Sequence, residues 1–148
     1  MFFGTYTHSL DAKGRIIIPA GCREELGTQF LLTRGIEECL YVYPRTVMKE
    51  LQDQFRAISR TDRKGQDYIR MLTSNMTICD FDSQGRIGIP AELRKYAGLK
   101  KDAVVIGAFD RVEIWSADKW DEYSAKLQDE DTLGNILDYV TTKTEKTE

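Results

Sequence analysis

The chain has 148 residues, 41% of them hydrophobic and 30% charged, with a formal net charge of −3. That balance fits a globular fold and excludes a fibrous chain or one disordered along most of its length. No apolar run reaches the roughly 20 residues that cross a bilayer, and MFFGTYTHSLDAKGR lacks the basic and then apolar regions of a secretory leader, so a cytoplasmic protein with no membrane partner is expected.

The predicted elements follow in chain order. TYTHSLD alternates, DAKGR forms a turn, and Ile16-x-Ile18 resumes the alternation, which reads as a β-hairpin with x-x-Gly-Arg at its tip. Gly14 supplies the positive φ that such a tip needs. Pro19 then ends the strand and opens a short helix that Gly27 closes. FLLTRG and LYVYP form a second hairpin. Val47, Leu51, Phe55 and Ile58 have helical spacing, as do Tyr68, Ile69 and Leu72, so two helices are expected there. MTICDFD, DSQGR with Gly85, Ile87-x-Ile89, Pro90, Gly98, VVIGAF and VEIWS then repeat the first series. SADKWDEYSAKLQ is read as a helix with Ser116 as N-cap and Trp120, Tyr123 and Leu127 on one face. From about residue 130 the periodicity fades, and a frayed acidic tail is expected.

The repetition is an internal duplication. DAKGRIIIPAGCREELG (11–27) laid on DSQGRIGIPAELRKYAG (82–98) gives nine identities in 17 positions. They include Asp11 with Asp82, Gly14 with Gly85, Arg15 with Arg86 and Arg23 with Arg94. A repeat this long occurring twice is no solenoid; it predicts a pseudo-twofold unit in which two halves complete one another's sheet. Each half alone is near the lower size limit for a core. The expected boundaries are 1–60 for the first half, 61–75 for a connecting helix, 76–130 for the second half and 131–148 for the tail.

From Asp118 onward nine acids stand against four lysines, so residues 1–117 carry a net +2 within an acidic chain. The acidic total therefore does not exclude an anionic partner. One histidine, His8, and three cysteines without CxxC spacing, Cys22, Cys39 and Cys79, leave no metal-ligand set and no disulfide framework. The thiols are read as reduced core groups, and no metal, cofactor or small-molecule substrate is expected. His8, Ser9 and Asp11 are close in sequence, but a strand sends neighbouring side chains to opposite faces, so they do not form a triad. The Gly-Arg loops also lack the spacing of a nucleotide-binding P-loop. Trp115 and Trp120 are read as core or interface anchors.

Two readings of the polar loop residues stand side by side. In one, Asp11 and Asp82 open turns by accepting backbone N–H groups, while Arg15 and Arg86 guard strand edges. In the other, each Asp holds the Arg four residues on by a bidentate pair, and two pre-ordered guanidinium groups face phosphates and guanine edges. Lys13, Arg23, Arg34, Arg94, Lys95, Lys100 and Lys101 are candidates for further phosphate contacts.

The duplicated DxxxR loop, the opening MFFGTYTHSLDAKGRIIIP, the second copy FDSQGRIGIPAELRKYAGL and the V-x-I-W-S segment at Val112 to Ser116 resemble the MraZ family of bacterial transcriptional regulators over nearly the whole chain. The resemblance implies an α+β, mainly β fold, a swapped-hairpin AbrB-like barrel with both halves in one chain and flanking helices. It implies a nucleoid-associated regulator that assembles into homo-oligomeric rings. These bind double-stranded DNA at direct repeats in the promoter of the division and cell-wall gene cluster, including its own gene. The DNA-binding residues it implies fall on Asp11, Lys13, Gly14, Arg15, Asp82, Gly85 and Arg86. Gln84 replaces Lys13 in the second loop, which makes the loops unequal in charge. An antitoxin-like interaction module of the same fold is the alternative; the duplicated copy and short tail favour the regulator. An enzyme would need a clustered acid-base set, which the sequence lacks.

Overall fold

The computed structural model describes residues 1–145. Among these it has eight strands in antiparallel sheets and six α-helices, an α+β fold. The first repeat contributes β1 (Thr5–Ser9), β2 (Arg15–Ile17), α1 (Ala20–Leu26), β3 (Phe30–Arg34) and β4 (Leu40–Pro44). A 3-10 turn then leads into α2 (Met48–Ala57) and α3 (Arg63–Thr73). The second repeat contributes β5 (Thr77–Cys79), β6 (Arg86–Gly88), α4 (Ala91–Ala97), β7 (Asp102–Gly107) and β8 (Val112–Ser116). Residues 1–116 form one compact unit, and a helical unit starts at Ala117.

The sheet order displays the duplication. Six strands run β1-β7-β8-β4-β3-β5, and β2 pairs separately with β6. Exchanging each strand for its counterpart in the other repeat returns the same order, so the pairing has pseudo-twofold symmetry. Ile16 faces Ile87 at the centre of the β2-β6 ribbon, and Tyr41 faces Glu113 where β4 meets β8.

One local expectation is corrected here. β1 and β2 form no hairpin ladder with each other: β1 pairs with β7 from the other repeat, and β2 with β6. The hairpins β3-β4 and β7-β8 do form. A three-residue strand such as β2 carries too few cross-strand contacts to select its neighbour in sequence, and pairing it with β6 buries four isoleucines together. Ile16, Ile18, Ile87 and Ile89 are all buried, while the intervening Ile17 and Gly88 are exposed, as the period of two requires. They join Phe30, Leu32, Leu40, Val42, Val105 and Ile114 in the core. Truncating one such isoleucine to alanine costs about 2–5 kcal/mol, a large part of the roughly 5–15 kcal/mol that holds an ordinary domain folded.

The short helices begin and end where the punctuation residues place them. Pro19 and Pro90 precede α1 and α4, and Gly27 (φ +80°) and Gly98 (φ +64°) follow them. α3 is capped by Asp62, whose side chain accepts from the Gly65 N–H, and its buried Leu72 offers a carbonyl to Thr33 Oγ1 at 2.6 Å. Thr33 is thereby satisfied although it is fully buried.

The helical unit overturns the expected tail. Beyond α5 (Ala117–Gln128), residues Glu130–Glu145 form α6. Leu133, Ile136, Leu137 and Val140 have helical spacing that the acidic composition obscured. Asp129 caps the helix, accepting from the Thr132 N–H at 3.2 Å. The final residues of the predicted tail, 146–148, lie outside the described residues.

Candidate nucleic-acid interface

The two loops have the same internal wiring. In the first, Asp11 Oδ1 accepts from the backbone N–H groups of Lys13 and Arg15, both at 2.9 Å. The Asp11 and Gly14 backbones close the turn through Asp11 N–H to Arg15 O at 2.9 Å and Gly14 N–H to Asp11 O at 3.0 Å. In the second, Asp82 Oδ1 accepts from the N–H groups of Gln84 and Arg86 at 2.9 Å. Gly14 and Gly85 both have φ +76°, a conformation open to glycine at little cost. The structural reading of the aspartates therefore holds: each is a turn former.

The second carboxylate oxygen performs a different task. Arg15 Nε donates to Asp11 Oδ2 at 2.7 Å, and Arg86 Nε donates to Asp82 Oδ2 at 2.8 Å. The expected fork-to-fork pairing is absent, because Oδ1 is committed to the backbone. This contact holds each arginine through Nε and does not use its Nη groups. The backbone N–H of Arg15 is the largest influence holding the Asp11 carboxyl below its ordinary value, and the N–H of Arg86 does the same for Asp82. Both aspartates thus stay ionised beside their arginines.

The loops also touch each other electrostatically. Arg86 Nη1 lies 3.5 Å from Asp11 Oδ2, across the repeat boundary. The Arg15 side chain is 34% exposed and that of Arg86 22%. Lys13 and Gln84 are exposed and occupy equivalent places, so one loop carries a positive charge there that the other lacks.

Among the other cations named from sequence, Arg23 and Arg94 are turned inward. Arg23 Nη1 donates to Ile18 O and Arg94 Nη1 to Ile89 O, each at 2.6 Å. Their role was hidden in sequence, although their identity at the repeat offset was a signal. Arg34 lies over the Tyr96 ring at 4.7 Å. Lys95, Lys100 and Lys101 are exposed.

The enzyme-like combinations do not assemble. Ser9 Oγ donates to Asp102 Oδ1 at 3.3 Å, away from any triad with His8. No group of three or more His, Cys, Asp or Glu side chains among the described residues could hold a metal ion. The cysteines are free thiols, with Cys39 fully buried and its thiol pushed up to about 12, chiefly by burial. Trp115 is buried and donates through Nε1 to Glu113 Oε1 at 2.9 Å.

Comparison with known proteins matches nearly the whole chain. The family model described as "MraZ protein, putative antitoxin-like" matches residues 1–69 and 72–134. The chain belongs to the MraZ family. A "Transcriptional regulator MraZ" from Desulfitobacterium hafniense (strain Y51) is 46% identical over 129 residues, covering 87% of this chain and 90% of that protein. One from Natranaerobius thermophilus is 44% identical over 140 residues, covering 95% and 96%. One from Moorella thermoacetica is 45% identical over 130 residues, covering 88% and 91%. No helix among the described residues is long and apolar enough to cross a membrane.

Proposed function

We propose that this MraZ-family chain is a sequence-specific transcriptional regulator that presents its Asp11–Arg15 and Asp82–Arg86 loops to double-stranded DNA. The observation that carries this reading is the twice-repeated arginine, held by its own aspartate through Nε and not through its Nη edge, with the two loops joined by the ion pair between Arg86 Nη1 and Asp11 Oδ2. That edge matches the O6/N7 face of guanine in the major groove and equally a phosphate. Lys13 adds a phosphate contact that Gln84 does not.

The target in this reading is a set of direct repeats upstream of the division and cell-wall gene cluster, including the chain's own gene, and the protein is nucleoid-associated. One protomer offers only two loops and so few base contacts. A homo-oligomeric ring engaging successive repeats raises the effective concentration of each further loop and supplies the missing affinity.

Footprinting on DNA upstream of its own gene, followed by anisotropy across a salt series, tests the proposal. Protected repeats are expected, with log K falling against log[salt] at a slope of about −0.9 per phosphate neutralised. A flat salt response or an unprotected upstream region overturns it.

A further inference from the structure

We propose that Arg23 and Arg94 are crossed positioning residues, each holding in place the DNA-contacting loop of the opposite repeat. The inference rests on the reading of the loops given above and adds the residues that aim them. α1 and α4 each place an arginine at the fourth position, and both point back into the molecule. Arg94 Nη1 donates to Ile89 O, and the Ile89 N–H donates to Gly14 O at 3.0 Å in the first loop. Arg23 Nη1 donates to Ile18 O, and the Ile18 N–H donates to Gly85 O at 3.2 Å in the second loop.

Each guanidinium also lies directly over the loop glycine of the other repeat. A Cβ built on Gly14 would overlap Nη1 and Cζ of Arg94, and one built on Gly85 would crowd Nη1 and Cζ of Arg23. Guanidinium, Ile peptide and glycine thus form a continuous contact across the β2-β6 ribbon in both directions. A planar, permanently charged fork suits this place, because it can donate to a carbonyl while its face covers a glycine backbone. The consequence is reciprocal: Arg94 orders Asp11–Arg15, and Arg23 orders Asp82–Arg86. A residue engaged in this way aims a loop and does not itself neutralise a phosphate.

Amide hydrogen exchange on the full chain tests the crossing without DNA. Arg94→Gln should speed exchange at Gly14 and Arg15 and leave Gly85 and Arg86 as in wild type, while Arg23→Gln should do the reverse. A change confined to the loop of the same repeat, or no change in either loop, overturns the proposal. On operator DNA, Arg94→Gln should weaken binding roughly three- to tenfold, the scale of losing the pre-order of one rotamer-rich contact, with the salt slope unchanged. A shallower slope would show a lost phosphate contact and overturn the positioning role. Arg94→Lys keeps the charge and serves if the glutamine variant does not fold. It should loosen the first loop because an ammonium cannot reproduce the fork, and wild-type protection of that loop in Arg94→Lys refutes the inference. Undiminished binding by Arg15→Ala would instead sink the DNA reading, leaving the crossed exchange pattern to decide the positioning role alone.

Discussion

Asp11 stands between two arginines: its Oδ2 accepts from Arg15 Nε at 2.7 Å and lies 3.5 Å from Nη1 of Arg86. One carboxylate of the first repeat therefore contributes to holding both loops. Asp82 has an ion pair with Arg86 alone among the described residues. The duplication is symmetric in backbone and unsymmetric in charge.

That asymmetry ranks the aspartates. Asp11→Ala should weaken DNA binding more than Asp82→Ala, since it removes a contact from both guanidinium groups, whereas Asp82→Ala removes one from Arg86 alone. Anisotropy at a single salt concentration checks this, and equal losses would show that the contact between Asp11 and Arg86 has no functional weight.

Arg15→Ala separates a reading residue from a structural one. A partly exposed side chain away from the core changes stability by within about ±0.5 kcal/mol, whereas losing a base contact costs about 1–3 kcal/mol. The expected outcome is an unchanged melting temperature with operator binding lost in the assembled ring. Arg86→Ala should show a smaller defect, because Arg86 is less exposed and its loop lacks the lysine. Normal binding by Arg15→Ala removes it from the interface.

The aspartates also set the response to acid. Folding lowers their carboxyl values below 3.8, so the ordered loop favours the ionised form. Their contribution is complete above the unfolded value and is lost as pH falls through the folded one. Carboxyl carbon shifts followed by NMR should give midpoints for Asp11 and Asp82 below 3.8. A midpoint at or above that value contradicts the Oδ1 contacts to the backbone.

Two glycines should respond in opposite directions. Gly14→Ala must adopt φ +76° and displace Arg94, and should cost at least about 1–2 kcal/mol. Gly21 lies in α1 with open space around it, so alanine there should stabilise by up to about 1 kcal/mol. Denaturant midpoints of the two variants test this pair directly.

The interlocked strand order makes a further demand on folding. A chain of residues 1–75 lacks β7 for β1 and β6 for β2. Two copies can supply these, since β3 is the counterpart of β7 and β2 that of β6. Sedimentation with circular dichroism should show residues 1–75 structured as a dimer and unfolded on dilution. A folded monomer would disprove interdependence of the halves.

What the sequence determined by itself was local. The repeat, the positive-φ glycines at 14 and 85, the proline-to-glycine span of α1 and α4, and the burial of Ile16 and Ile18 against the exposure of Ile17 depend on stereochemistry and period within a few residues. The same is true of the DxxGR turns, because an Asp oxygen can reach N–H groups two and four residues on. Only the tertiary structure decided partners. An alternating β1 carries no mark saying that β7 will be its neighbour, and it stays largely exposed at a sheet edge. Nothing near Arg23 in sequence points to Gly85, or near Asp11 to Arg86; these meet because the core buries Ile16 against Ile87 and draws both loops onto one ribbon. α6 was missed for the converse reason, since its apolar spacing was legible but diluted by acidic neighbours. Local geometry is written residue by residue, whereas pairing is selected by the total burial of surfaces far apart in the chain.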